Sequence, residues 1–343
     1  MSNRVTNQIF KAKQIFNTQV VPDANTKEWK ALKGKYAGKR AFLIGNGPSL
    51  NETPLYMLRD EYTMCLNRFY MLHERLNWHP KFYMCVDPVV LPDISNEVNK
   101  QIQNFGLGVF LSIHKQYIKQ KPNVLWIHGM VPNWYSDMLP LTGKAATVAF
   151  QALQVLTYLG FSEIYLVGVD QNYQIHKTAK VIKGREIESL KDDDPNHFDP
   201  RYFGKGRKYH QPDLKMSQDM IKSFEVVNKA SVKYGFKVYN AGFNSQLDVF
   251  ERKNFYELFD YNEDTSLAVF LKSFPETVSR EYIKEQLEKE AMQIDSNKDY
   301  KEFDSIITNI SDGKELTQKI IYTHIPFGPY KEKILFLNRN RMQ

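Results

Sequence analysis

The sequence predicts an α/β fold: a doubly wound, mostly parallel sheet with one long insertion. Three observations carry that reading. Short apolar runs, each closed by glycine or polar turn residues, recur from Arg40 onward; stretches with helical apolar spacing lie between them; and the first run opens directly into Gly45-Asn46-Gly47-Pro48-Ser49. Strands that alternate with helices are joined by crossovers, and crossovers make parallel pairs.

Each element follows from its local pattern. Residues 40–45 are an apolar run ending on glycine, as a buried parallel strand does. Further strands are expected at 62–66, 82–86, 108–112, 124–128, 164–169 and 236–239. The clearest helix is 145–159, where Ala146, Ala149, Phe150, Leu153 and Leu156 or Thr157 make an apolar face. Residues 172–212 break the alternation. They are polar, contain Lys191-Asp192-Asp193-Asp194, and carry His176, His197 and His210 beside Tyr202, Phe203 and Tyr209. A stretch of that length inside a compact domain reads as a lid over a site. Residues 261–343 are helical and charged in pattern, most clearly at 280–294, and form a C-terminal appendage. The domain plan is therefore a basic arm at 1–38, a sheet domain at 39–260 and the helical region at 261–343.

With 343 residues, 42% hydrophobic and 25% charged, the chain can bury a large core. No run of about 18 apolar residues exists, which excludes a hydrophobic spanning helix. No secretory signal pattern opens the chain, so a cytoplasmic protein is expected. Cys65 and Cys85 lie in strand-like runs without CxxC spacing and read as buried thiols. The net charge of +7 arises within residues 1–40, where nine Lys or Arg face two acids. A neutral body argues against nucleic acid as a partner. Val5, Ile9, Ala12, Phe16 and Val20 recur at helical spacing within the arm. This stripe fits a helix packed on the body or on another subunit better than one on a membrane surface.

In an open parallel sheet, ligands bind at the carboxyl ends of the strands. Three loops fall there. In the first, Gly45 and Gly47 permit close backbone approach, Asn46 and Ser49 offer hydrogen bonds, and a following helix start would favour a phosphate. The second is Asn67-Arg68, and the third is Asp87-Pro88. The first loop also serves simply as a tight strand-to-helix connection. Neither GxGxxG nor GxxxxGK[ST] is present, which disfavours a dehydrogenase or a P-loop kinase. Asp192-Asp193-Asp194 has the form of a metal-holding acidic triplet, although a solvated run is the preferred reading, and no metal site is expected.

Several segments together carry a resemblance. They are Leu43-Ile44-Gly45-Asn46-Gly47-Pro48-Ser49-Leu50, Cys65-Leu66-Asn67-Arg68-Phe69-Tyr70, Leu141-Thr142-Gly143-Lys144-Ala145-Ala146-Thr147 and Gly160-Phe161-Ser162-Glu163-Ile164-Tyr165-Leu166-Val167-Gly168-Val169-Asp170. More loosely, Asn196-His197-Phe198 and Asn244-Ser245 join them. Spanning 39 to about 250, they resemble the bacterial CMP-sialic acid sialyltransferases of glycosyltransferase family 42. They also resemble the related 6-hydroxymethylpterin diphosphokinase-like and motility-associated glycosylation proteins. The resemblance implies a Rossmann-like sheet, a GT-A-like variant, that binds a CMP-activated sugar donor without a metal or other cofactor. It implies CMP contacts from Asn46 and Asn67, a nucleotide-sugar contact from Thr142-Gly143, and Asp170 in the Gly-hydrophobic-Asp motif. Tyr173, and less closely Tyr202, would hold the leaving phosphate, and His197 would be the general base. His210 competes for that role, and His176 comes third. A departing phosphate needs hydrogen-bond donors, and an attacking hydroxyl needs a base that titrates near neutrality, as imidazoles do.

The expected function is thus a metal-independent, inverting glycosyltransferase that moves an acidic, sialic acid-like or Kdo-type sugar onto a surface glycan. Its acceptor would be a glycan or lipid-linked molecule. Peripheral contact with the inner membrane face through Lys11, Lys13, Lys331, Lys333, Arg339 and Arg341, and a homo-oligomer, accompany that reading. The alternatives are a Mg-dependent diphosphokinase that uses Asp87, Asp170 and the acidic triplet, and a non-catalytic nucleotide-sugar-binding protein.

Overall fold

The computed structural model describes residues 25–74, 76, 78–129, 133–135 and 139–259. The apolar stripe of the arm and the whole 261–343 region lie outside the described residues. The described residues form two compact units. The first holds 25–50, 61–73 and 79–253; the second holds 51–60, 254–259 and part of 74–78, with 3-10 turns at Leu55–Leu58 and Tyr256–Leu258.

The first unit is built on nine parallel strands. In chain order they are β1 (Arg40–Ile44), β2 (Thr63–Leu66), β3 (Phe82–Cys85), β4 (Leu107–Leu111), β5 (Val124–Gly129), β6 (Leu141–Thr142) and β7 (Glu163–Val167), followed after the lid by β11 (Lys237–Asn240) and β12 (Glu251–Arg252). Their order across the sheet is β12-β11-β7-β1-β2-β3-β4-β5-β6, and every ladder is parallel. The chain therefore winds outward from β1 to β6 and then returns to lay β7 on the free side of β1. Between β1 and β7 the winding direction reverses, and it is beside such a switch point, at the carboxyl ends of the strands, that open parallel sheets take their ligands.

Helices α1 (Thr26–Leu32), α2 (Val90–Gln101), α3 (Val148–Leu159) and α4 (Leu214–Tyr234) flank the sheet. Alternation along β1 explains the two layers: Ala41 and Leu43 join the core with Phe150, Leu153 and Leu156 of α3, while Phe42 stacks on Tyr165 at 5.2 Å. Each buried Leu or Phe of that layer contributes about 1.5–3 kcal/mol. Helix α3 starts at Val148, later than expected. The Thr147 side chain caps it by accepting from Ala149 N at 3.3 Å, and Gly160 (φ 101) ends it. Residues 25–38 belong to the sheet unit rather than to a separate arm. Trp29 is fully buried, donates from Nε1 to Trp126 O (2.9 Å), and its own carbonyl accepts from the Tyr158 hydroxyl (3.0 Å).

The 172–212 insertion is not an irregular loop. It holds a three-stranded antiparallel sheet of β8 (Lys180–Lys183), β9 (Glu186–Glu188) and β10 (Lys208–His210), ordered β10-β9-β8. These strands escape pattern reading because they are three or four residues long and mostly polar. Their order comes from a small core of Ile187, Phe198, Tyr202 and Tyr209, all buried.

Candidate functional site

A cleft of about 360 Å³ opens at the carboxyl edge of the sheet, at the β1/β7 crevice, and the lid forms part of its wall. Of the residues singled out in the sequence, Gly45, Asn46 and Gly47 line it from the β1 loop, Asn67 from β2 and Asp87 from β3. Asp170 and Tyr173 line it after β7, and His197, Tyr202 and His210 line it from the lid.

The loops after β1 and β7 are zipped together, and this changes the roles of four residues. A Cβ at Gly45 would collide with the carbonyl of Gly168, and one at Gly47 with the Asp170 carboxylate. The glycines therefore admit the neighbouring protein loop as well as any ligand. The Asp170 carboxylate accepts from Ser49 N (2.9 Å) and from the Ser49 hydroxyl (2.5 Å), and Ser49 is buried and absent from the cleft wall. The anion expected at this turn is thus the protein's own Asp170, at the start of a single 3-10 turn, Pro48–Asn51.

The two asparagines present the opposite chemistry. Asn46 donates from Nδ2 to Leu66 O (3.1 Å), and its Oδ1 is buried without a hydrogen-bond partner among the described residues. Asn67 has a left-handed backbone (φ 50), and its Oδ1 is likewise buried without a partner. A buried carbonyl oxygen left without a donor costs about 1–3 kcal/mol, so two at one cleft mark positions that a ligand's N–H or O–H groups would satisfy. Gln171, which also lines the cleft, takes a left-handed φ of 53. Strained non-glycine backbone of this kind gathers at functional sites. Asp87 is partly engaged elsewhere: its Oδ1 accepts from Val89 N (2.7 Å) and Val90 N (2.9 Å) at the start of α2.

Thr142 and Gly143 do not line the cleft. Thr142 is fully buried and accepts from Gln151 Nε2 (3.0 Å), while Gly143 N donates to Gln154 Oε1 (2.8 Å) and a Cβ there would strike the Asn133 carbonyl. The wall is made by the next residues, Lys144 to Val148, with Lys144 exposed beside the start of α3.

In the lid, His197 Nδ1 lies 2.8 Å from Asp194 Oδ2, and the ring stacks flat on Tyr202 at 3.8 Å. The Asp194 side chain is fully buried and also accepts from Asn196 N (2.9 Å) and Phe203 N (3.1 Å). Burial works to raise its carboxyl, but the His197 ring and the two amides outweigh it and hold the group below the usual carboxylate range. An ionised Asp194 fixes the proton on Nδ1 and leaves Nε2 as the basic nitrogen of a ring that lines the cleft. Tyr202, expected at a phosphate, is only 1% exposed and serves instead as the platform under His197. Tyr173 is half-buried at the cleft, and burial, reinforced by the Asp170 carboxylate, pushes its hydroxyl up to about 12, so it remains a hydrogen-bond donor.

The other lid histidines differ. His210 is exposed and has no acidic partner among the described residues. Both nitrogens of His176 are engaged, Nδ1 with the Tyr209 hydroxyl (2.5 Å) and Nε2 with Asp193 (2.9 Å), and the ring does not line the cleft. The acidic triplet is split three ways, Asp192 to Lys205 N, Asp193 to His176 and Thr178, and Asp194 to His197. Sequence reading missed the pairing of Asp194 with His197 because Asp194 is one acid in a charged run. The available signal was its position three residues before a histidine.

Residues 16–176 match the 6-hydroxymethylpterin diphosphokinase MptE-like family. The MptE-like match takes in β1 to β7 and the loops carrying Asn46, Asn67, Asp170 and Tyr173, and it stops before Asp194 and His197. That family is one of the related groups expected from the motifs. Solved structures similar to this chain include the sialyltransferase CstII from Campylobacter jejuni in complex with cytidine-5'-monophosphate, described as a substrate analogue. It is 17% identical over 63% of this chain and 85% of that one, with a TM-score of 0.38. Another is the MAf glycosyltransferase from Magnetospirillum magneticum AMB-1, 13% identical over 91% of this chain and 56% of that one, with a TM-score of 0.41. No curated protein matches the chain by sequence. Among the described residues, no helix is long and apolar enough to cross a membrane.

Proposed function

We propose that the chain is a glycosyltransferase that uses a CMP-activated acidic sugar, with His197 as general base and no metal requirement. The observation that carries this reading is the Asp194-oriented His197 on the wall of a cleft whose floor presents unpaired buried oxygens from Asn46 and Asn67. The asparagine oxygens suit the hydroxyl and amine donors of a nucleoside, and the motif resemblance gives that nucleoside as cytidine. His197 Nε2 takes the proton of the acceptor hydroxyl. The acceptor oxygen then bonds to the anomeric carbon as the carbon–oxygen bond to phosphate breaks, and the electron pair leaves with CMP. Direct attack inverts the anomeric centre. The Tyr173 hydroxyl, and Lys144 beside the α3 N-terminus, supply hydrogen bonds and positive charge to the departing phosphate.

The second reading, diphosphoryl transfer, rests on the description of the matching family. It needs carboxylates gathered around Mg²⁺. Asp170 is bonded to Ser49 and Asp87 caps α2, while the triplet acids diverge, and no group of three metal-ligating side chains occurs among the described residues.

A thermal-shift panel of CMP, CDP, UDP, GDP, AMP and ATP, each with Mg²⁺ and with EDTA, separates the two. At about 100 times its Kd a ligand adds roughly 2.7 kcal/mol of apparent stability. Stabilisation selective for CMP and unaffected by EDTA is expected. A shift confined to ATP with Mg²⁺ overturns the transferase reading in favour of phosphoryl transfer.

A further inference from the structure

A chain of charged and aromatic side chains runs from helix α2 to the lid residues Tyr202 and Phe203 on the cleft wall. Arg68, directly after the β2 asparagine, has a side chain only 2% exposed, and its guanidinium is ion-paired with Asp93 in the first turn of α2. Asp93 Oδ2 also takes Arg207 of the lid at 2.5 Å, so one carboxylate joins a buried body cation to a lid cation. Above Arg68 lie two lid rings, Tyr202 at 5.8 Å and Phe203 at 5.5 Å from the guanidinium carbon. These rings hold His197, Tyr202 by flat stacking and Phe203 edge-on at 5.3 Å.

We infer that Asp93 is a positioning residue for His197, acting through Arg68 and Arg207 to hold the lid segment 194–203 against the body. The role rests on His197 being the base of the proposed reaction, although the latch itself does not. A guanidinium this deeply buried needs a countercharge, and a neutral Asn at position 93 removes the one paired with Arg68 among the described residues. Arg68 then draws toward water and the platform under Tyr202 and Phe203 loosens. The Arg207 arm is half-exposed and contributes less, in a manner that salt screens.

The test is backbone hydrogen exchange in the full chain, read at Asn196 and Phe203, whose amides donate to Asp194. Asp93→Asn is expected to speed exchange at both by at least about tenfold, with Asp93→Glu restoring most of the protection. With a CMP-activated donor, Asp93→Asn should lower kcat at least about tenfold while the donor KM moves less than about threefold. Unchanged exchange in Asp93→Asn overturns the inference. Should that variant fail to fold, Arg207→Met must raise exchange at the same amides by a smaller factor, and an unchanged pattern there is equally fatal. If the wild-type protein transfers no sugar, the proposed function fails, and the exchange measurement still decides the latch.

Discussion

Asn67 combines a strained backbone with an unsatisfied side-chain oxygen. Its left-handed φ costs an ordinary side chain about 1 kcal/mol or more, which glycine would avoid, yet the position holds an amide whose oxygen has no partner among the described residues. Asn67→Gly should therefore keep or slightly raise Tm while weakening CMP binding, measured by calorimetry. Asn46→Ala should weaken CMP binding too, but with a loss of stability, because its Nδ2 bond to Leu66 joins β1 to β2. Asp194 gives a pH prediction. Its folded carboxyl lies below the ordinary value of about 3.9, so its stabilising effect is complete above that value and lost as pH falls through the lower, folded value. Protection of the Asn196 and Phe203 amides should hold from neutrality down to about pH 4 and fail below it. Asp194→Asn should weaken that protection already at pH 7.

Among the elements, the lid and the β6–α3 connection behave differently from their sequence patterns. The lid coheres through His176, buried between the Tyr209 hydroxyl and Asp193. Replacing it by Leu removes the hydrogen bond to the buried Tyr209 hydroxyl while Asp193 keeps Thr178 and water, and a loss of about 1–3 kcal/mol confined to the lid is expected by hydrogen exchange across β8 to β10. Gly143 is a backbone requirement of the β6–α3 connection, set by the Asn133 carbonyl. Gly143→Ala should lower stability by about 1–3 kcal/mol in thermal melts while CMP affinity at permissive temperature stays within twofold or so. A large affinity loss with an unchanged melt would instead place this glycine at the donor. Neither feature was legible in the sequence. The lid strands are too short and polar for a period to show, and the crowding at Gly143 joins residues ten apart in sequence, which no local pattern specifies.

Across the whole molecule, what could be read from the sequence was what short-range order decides. Apolar runs closed by turn residues marked seven of the parallel strands to within a residue or two, because a strand buried on both faces must be apolar throughout. The order of the loops then placed Asn46, Asn67, Asp170 and Tyr173 at one edge, since parallel strands bring all their carboxyl ends together. Pairing between distant side chains stayed hidden. That Ser49 would be consumed by Asp170, that Tyr202 would carry an imidazole rather than a phosphate, and that Asp194 would be drawn out of an acidic run into a buried bond with His197 all depend on how the lid folds back. The proposed reaction depends on that last pair, on the wall of the cleft. The measurement that addresses it most directly is transfer from a CMP-activated acidic sugar in the presence of EDTA, following CMP release for the wild type and for His197→Ala. The account predicts turnover that survives EDTA and falls by about 10²-fold or more in His197→Ala, with the CMP-induced thermal shift retained. Wild-type rates in His197→Ala, or turnover that appears only with Mg²⁺ and ATP, would contradict it.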